Sequence, residues 1–211
     1  MNNKRVIIAD DHSAIRSGVK HILVNEFASI DFGYATNAGE VFQLVKGQQW
    51  DVMILDIDLP GRNGLDILKQ LKEESVNIPV LVFSFHREEQ IAVRALKSGA
   101  FGYLAKDAAD TELVKAMHTI FTGKKYISPQ VSEQLISNLE NPTNKPVHQL
   151  LSDREFQTLL LIASGKTVTE IAEELSLSHP TISTYRARIL QKTGMKNNAE
   201  ITTYAIRQNL V

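Results

Sequence analysis

Five apolar runs punctuate the first half of the chain, and four of them stop at residues that carry chemistry. Val6-Ile7-Ile8-Ala9 meets Asp10-Asp11, and Val52-Met53-Ile54-Leu55 meets Asp56. Val80-Leu81-Val82-Phe83 meets Ser84, and Phe101-Gly102-Tyr103-Leu104-Ala105 meets Lys106. Runs of this length and composition predict strands, as does Ile30–Ala35. Between them the apolar positions change to helical spacing: Ile15, Val19, Ile22 and Leu23, then about Gly39–Lys46, then Leu65, Leu68 and Leu71. Pro60-Gly61 and Asn63-Gly64 mark a loop before the third of these helices. A fourth helix is predicted over about Glu88–Lys97, stopped by Gly99. Leu113, Val114, Met117, Ile120 and Phe121 make a fifth. Strands alternating with helices predict an α/β unit with a five-stranded parallel sheet covered on both faces, because parallel neighbours need crossover connections.

The pattern changes after residue 123. Residues 124–148 read as a linker with one short helical pattern (Val131, Leu135, Ile136, Leu139), followed by Asn141-Pro142-Thr143-Asn144-Lys145-Pro146, which favours neither helix nor strand. From Leu151 on, only helical spacing is found. Ser152-Asp153-Arg154-Glu155 is a capping box, and its helix runs to Ser164-Gly165. Further helices are predicted over about Val168–Leu175, Pro180–Thr193 (closed by Gly194) and Asn198–Asn209. The organisation expected is therefore 1–123, a linker over 124–148, and an all-α domain over 149–211.

Charge separates the two parts. Residues 1–123 carry 13 Lys/Arg against 16 Asp/Glu, whereas 176–211 carry Arg186, Arg188, Lys192, Lys196 and Arg207 against Glu200 alone. A basic end on an acidic chain suggests an anionic partner such as DNA, although a solvated helix face also produces such runs. The absence of cysteine excludes disulfides, thiolate catalysis and thiolate-bound zinc. No apolar run approaches the roughly 20 residues of a membrane span, and the N-terminal one is too short for a secretory signal. A cytoplasmic protein with no membrane partner is expected.

Carboxyl ends of parallel strands converge on one edge of the sheet. There Asp10, Asp11, Asp56, Ser84 and Lys106 would come together. Phosphoryl transfer needs an in-line nucleophile and cations that absorb charge on the transferring oxygens. Asp56 can be the nucleophile, and Asp10 and Asp11 can hold Mg²⁺. Lys106 and the Ser84 hydroxyl can meet phosphoryl oxygens. A single Asp at a strand end is ordinarily a turn former; five such residues at four strand ends are a site.

Ala9-Asp10-Asp11-His12, the run Asp56-Ile57-Asp58-Leu59-Pro60-Gly61-Arg62-Asn63-Gly64-Leu65, Phe83-Ser84 and Gly99-Ala100-Phe101-Gly102-Tyr103-Leu104-Ala105-Lys106 resemble the receiver domain of two-component response regulators, over about residues 1–123. The resemblance implies a flavodoxin-like five-stranded fold and phosphate accepted on Asp56 from a sensor histidine kinase or a small phosphodonor. It implies Mg²⁺ (or Mn²⁺) ligated by Asp11, Asp56 and the Asp58 carbonyl, with Asp10 acting through water. Ser84 and Tyr103 match the switch pair of that family; alone, Tyr103 reads equally well as a half-buried strand aromatic. Asp107 departs from the proline that many receivers carry. A phosphatase of the haloacid-dehalogenase type shares an Asp-x-Asp nucleophile, but carries it on its first strand, and here it ends the third.

In the last domain, Ile182, Tyr185, Ile189 and Thr193 fall on one side of the third helix, and Ser183, Thr184, Ala187, Arg188 and Gln191 on the other. Small polar residues with an Arg behind them suit a helix that probes base edges. Thr181, Lys166, Arg186 and Lys192 are placed for phosphates. The alternative is a four-helix packing module with solvated cations. Leu151-Ser152-Asp153-Arg154-Glu155, Ile162-Ala163-Ser164-Gly165-Lys166, Glu170-Ile171-Ala172 and Leu177-Ser178-x-x-Thr181-Ile182-Ser183 resemble a LuxR-type helix-turn-helix domain, and the whole chain resembles the NarL/FixJ group. Ser183 and Tyr185 depart from the Lys and His common there. The resemblance implies a phosphorylation-controlled transcription factor that binds double-stranded DNA, dimerises when phosphorylated or DNA-bound, and turns over no substrate in trans. Its only chemistry would be its own phosphorylation and dephosphorylation. A rival is a DNA-binding protein whose receiver serves only as an interaction platform.

Overall fold

The apolar runs form β1 (Lys4–Ala9), β2 (Ile30–Ala35), β3 (Val52–Leu55), β4 (Val80–Ser84) and β5 (Gly102–Ala105). They alternate with α1 (Ser13–Glu26), α2 (Ala38–Gly47), α3 (Gly64–Glu73), α4 (Glu88–Ser98) and α5 (Asp110–Phe121). The structure is a computed structural model that describes residues 3–85, 88–108, 110–129, 131–133, 136, 146–208 and 210–211, except the side chains of 88–90. The chain divides into two compact units, 1–135 and 136–211.

In the first unit the strands pair in parallel in the order β2-β1-β3-β4-β5. Ile8 stands beside Ile54, Ile54 beside Leu81, and Leu81 beside Gly102. β3 and β4 are buried along their whole length, as expected of strands with helices on both faces. One face packs Val6, Ile8, Val52, Ile54, Leu81, Phe83 and Leu104 against Val19 and Leu23 of α1 and Leu113, Met117 and Ile120 of α5. The alternate residues Ile7, Met53 and Val82 are fully buried on the opposite side. β5 starts at Gly102, one residue later than its apolar run, although the Phe101 N–H already donates to the Val80 carbonyl of β4 at 2.8 Å.

The chain after α5 stays with this unit. Tyr126 makes a parallel bridge with Gly102, its N–H donating to the Phe101 carbonyl at 2.8 Å. A Cβ at Gly102 would sit 3.0 Å from the Tyr126 carbonyl oxygen, so glycine permits the close approach. The Tyr126 hydroxyl donates to Glu112 Oε2 at 2.6 Å, and Val131 is buried. Of the short helical pattern predicted here, Leu135 and Leu139 lie outside the described residues, as do positions 141–145.

The second unit holds a 3₁₀ turn (Val147–Leu150), then α6 (Asp153–Ala163), α7 (Val168–Glu174), α8 (His179–Thr193) and α9 (Asn198–Arg207). Both bonds of the Ser152/Glu155 capping box form, and Thr167/Glu170 forms another. The side chains of Ser178 and Asn197 cap α8 and α9, and Pro180 stands in the first turn of α8. Gly194 closes α8 at φ 73°, the left-handed C-terminal position that glycine adopts without strain. α6 is central: every residue from Arg154 to Ala163 is buried. Ile171, Ile182, Ile189, Ile201 and Ala205 complete the core around it. Among the described residues no helix is long and apolar enough to cross a membrane.

Candidate functional site: a carboxylate cluster and an exposed recognition helix

In the first unit the strand order reverses between β1 and β3, and the crevice outside their carboxyl ends is where open α/β sheets bind ligands. Main-chain bonds continue past the strands and fix the residues there. The Asp10 N–H donates to the Ala35 carbonyl at 3.0 Å, Asp56 to Ala9 at 2.8 Å, and Lys106 to Ser84 at 2.8 Å. The loop after Asp56 is equally constrained. Gly64 N–H donates to the Ile57 carbonyl at 2.8 Å, and the buried Asn63 side chain caps α3 by accepting from Leu65 N at 2.7 Å.

These ties bring Asp10, Asp11, Asp56, Ser84 and Lys106 to one edge. The Lys106 side chain is fully buried, and its ammonium lies 2.7 Å from Asp10 Oδ2 and 2.7 Å from Asp56 Oδ2. Asp10 Oδ1 accepts from the His12 N–H at 2.8 Å, and His12 Nδ1 lies 2.8 Å from Asp11 Oδ1. Burial pushes the Asp56 carboxyl up to about 6, against the pull of the Lys106 charge and with the push of Asp58 and Asp10. Burial alone would lower Lys106; the two carboxylates more than offset it, and the ammonium is held above its ordinary range.

Asp56 Oδ1 is buried and has no hydrogen-bond partner among the described residues. An orphaned carboxylate oxygen is costly unless a cation or donor meets it. Ligand atoms of Asp10, Asp11, His12 and Asp56 all lie within 4.8 Å of one another. Hard carboxylate oxygens around an unmet charge fit a small divalent cation such as Mg²⁺. Ser84 is fully buried at the end of β4, and Tyr103 is 2% exposed, so its ring lies inside the unit rather than half out. Asp58 follows in the β3–α3 loop and is partly exposed.

Two neighbours of the site were not singled out from sequence. His12 stands with the acids, and its only sequence signal is adjacency to the acid pair. Phe85, 64% exposed, lies with its ring centroid 4.8 Å from the Lys106 ammonium. An aromatic residue one past a strand end gives no periodic signal.

In the second unit, α8 buries Ile182 and Ile189 and exposes Ser183, Thr184, Ala187, Arg188 and Gln191. Arg188 makes no hydrogen bond or ion pair among the described residues. The cations assigned to phosphates behave differently. Lys192 donates to Glu155 Oε2 at 2.6 Å, tying the end of α8 to the buried capping box of α6. Burial would raise the Glu155 carboxyl, but Lys192 and the Ser152 N–H hold it below its ordinary range. Arg186 Nε donates to Asn198 Oδ1 at 2.6 Å, and Lys166 pairs with Glu174. The Thr181 and Ser178 hydroxyls lie 2.7 Å apart. Arg188 and Lys192 are exposed, whereas Lys166, Thr181 and Arg186 are half-buried.

Both units are similar to known proteins. Residues 6–118 match the response regulator receiver domain, and residues 149–205 match the LuxR family of bacterial regulatory proteins. The response regulator UvrY of Escherichia coli K12 is 30% identical, covering 97% of this chain and 94% of that protein. The response regulator GacA of Pseudomonas viridiflava is 32% identical, covering 98% and 97%. A structure of two dimers of RcsB bound to two parallel DNAs matches with a TM-score of 0.60 at 28% identity, covering 96% of this chain and 98% of that one.

Proposed function

This chain belongs to the NarL/FixJ group of response regulators, with a receiver domain followed by a LuxR-type domain, and on that premise we propose that it is a DNA-binding transcription factor controlled by phosphorylation of Asp56. The observation that carries the proposal is the buried, unpartnered Asp56 Oδ1 beside an ammonium shared by two carboxylates. A carboxylate oxygen of Asp56 forms a bond to phosphorus as the bond from phosphorus to the donor breaks, and the electron pair leaves with the donor. The donor is the phosphohistidine of a sensor kinase or a small acyl phosphate. Lys106 then keeps its charge against a phosphoryl oxygen, and the Ser84 hydroxyl is placed to donate to another. Asp10, Asp11 and Asp56, with the Asp58 carbonyl, would hold Mg²⁺ or Mn²⁺, which supplies positive charge to the transferring oxygens. The chain thereby takes part in its own phosphorylation and dephosphorylation.

Ser84 joins the site to β4, and Tyr103 lies on the neighbouring β5 in register with Val82, two residues before Ser84. A hydroxyl drawn toward the phosphoryl group leaves room for the aromatic ring to repack. That shift is the switch that biases receiver contacts. In the second domain, Ser183, Thr184, Ala187 and Arg188 read base edges. Thr181, Lys166, Arg186 and Lys192 serve the sugar-phosphate backbone, Lys192 through the donors that Glu155 leaves over. Arg188→Ala is expected to weaken operator binding by about 1–3 kcal/mol, with a smaller effect on random DNA. Equal affinities of mutant and wild type for both DNAs, titrated by fluorescence anisotropy, would remove Arg188 from the reading face.

One short helix reads few base pairs, so a two-fold dimer on two half-sites about one helical turn apart is the expected assembly. α9 supports it: Ile201 and Ala205 are buried in the core, while Thr203 and Ile206 on its outer side are exposed, Ile206 to 58%. Sedimentation of the full chain with a duplex carrying two half-sites, with and without acetyl phosphate, tests the coupling. Phosphorylation is expected to convert one chain per duplex into two at limiting protein. One chain per duplex in both states would refute it.

A further inference from the structure

We propose that a cavity at the far edge of the receiver sheet binds a medium-chain monocarboxylate. The proposal goes beyond the phosphorylation reading and does not depend on it. The cavity, of about 310 Å³, lies at the amino-terminal ends of β4 and β5, opposite the edge that carries Asp56. The chain leaves α3 at Ser75 (φ 57°) and α4 at Gly99 (φ 110°), and both turns line it. Leu68, Leu71, Val76, Ile78, Val80 and Phe101 give it an apolar wall. Main-chain bonds fix that wall: the Val76 N–H donates to the Leu71 carbonyl at 2.9 Å, and the Phe101 N–H to that of Val80 at 2.8 Å. An apolar cavity with a few polar groups at its rim is the usual form of a small-molecule site.

Charge and volume select the ligand. Among the described residues that line the cavity, Lys72 alone is charged, and no carboxylate is present. Lys72 is exposed and makes no hydrogen bond or ion pair among the described residues. Its stem reaches from α3 toward α4, with Cδ 3.9 Å from where a Gly99 side chain would begin. A lysine stem laid over apolar surface keeps its ammonium at the mouth, in water. The N–H groups that close the two helices are already engaged, Ser75 donating to Lys72 and Gly99 to Leu96, each at 3.1 Å. The Lys72 ammonium is therefore the group that an anion meets, with the side chains of Ser75, Asn77 and Ser98 as further donors around it. At the roughly 30 Å³ that a water-sized group takes up in a liquid, the cavity holds about ten heavy atoms. Octanoate matches that count: an apolar tail for the wall and one negative charge for Lys72.

The test titrates sodium octanoate into the full, nitrogen-15-labelled chain, reading amide shifts by NMR and affinity by calorimetry. Saturable binding with a dissociation constant below about 1 mM is expected, with shifts centred on residues 71–80 and 98–101. Hexanoate should bind about tenfold more weakly because it buries two methylenes fewer, and dodecanoate no better than octanoate because it outgrows the cavity. Lys72→Met keeps the stem and removes the charge. It is expected to weaken octanoate about threefold to fivefold and to leave octanol unchanged. Ser98→Phe, which puts a ring into the cavity, is expected to abolish binding of both. No saturation by about 10 mM, or shifts centred elsewhere in the chain, would overturn the site. Octylammonium binding as tightly as octanoate, or octanoate indifferent to Lys72→Met, would overturn the carboxylate. Affinity that keeps climbing through dodecanoate would overturn the cavity in favour of an open apolar surface. None of these outcomes touches phosphorylation of Asp56, which is read separately by intact mass.

Discussion

Asp56→Asn is expected to reduce to background the phosphoryl adduct that the wild-type chain takes up from acetyl phosphate and Mg²⁺, read as intact mass. The other carboxylates of the cluster are already engaged. Asp10 gives one oxygen to the His12 N–H and the other to Lys106, and Asp11 faces His12. Only Asp56 combines burial, an unpartnered oxygen and a cation on its second oxygen. Asparagine keeps the shape of the side chain and removes the nucleophile, so loss of labelling without loss of folding is the expected pair of results. An adduct that persists in Asp56→Asn would sink the assignment. Asp11→Ala should likewise prevent labelling, as should a chelator, because each removes the metal charge that the transfer needs. Unchanged labelling in Asp11→Ala would dismiss the metal role of that residue.

Gly64→Ala is expected to destabilise the receiver domain by about 3 kcal/mol, at the upper end of the usual cost of overpacking. A Cβ there would stand 2.5 Å from the Asp56 carbonyl oxygen and 2.9 Å from Ile57 Cα, both backbone atoms that cannot swing aside. The strain falls on the residues that present the Asp56 carboxylate, so labelling should slow along with the loss of stability. The chain has one tryptophan, Trp50, packed beside Gly33 in this domain. Its fluorescence therefore follows the receiver domain alone, and the urea midpoint is expected to fall by about 1 M or more. A midpoint equal to that of wild type would show that the loop yields where its hydrogen bonds say it should not.

Strands and helices of both units were legible because they depend on local patterns. Apolar runs of four to six residues, a helical stripe and a cap each lie within one or two turns of chain. The acid–lysine site was legible for a related reason: parallel topology sends every strand end to the same edge, so strand-end residues converge without any need to know the loops. What sequence concealed depends on distance along the chain. Lys192 and Glu155 are 37 residues apart, and no periodicity announces that a basic residue near the end of one helix will meet the first turn of another. Arg186 turns to Asn198 in the same way. Phe85 was silent because its ring position is set by where Lys106 ends, not by any repeat that includes Phe85. Tyr103 reads as half-buried from its strand alone, and only the packed unit shows it inside.

The bridge from Tyr126 to Gly102 bears on how the receiver avoids sticking to other molecules. β5 is an outer strand, and outer strands offer unpaired peptide groups to any passing chain. Here the segment that follows α5 folds back along the start of that strand and uses the Phe101 carbonyl itself. Tyr126 anchors to Glu112, and buried Val131 holds the segment down. A receiver severed directly after α5 would keep all five strands and all five helices yet bare this peptide border. It is expected to self-associate more readily, for reasons unrelated to signalling, than a version that extends past Val131.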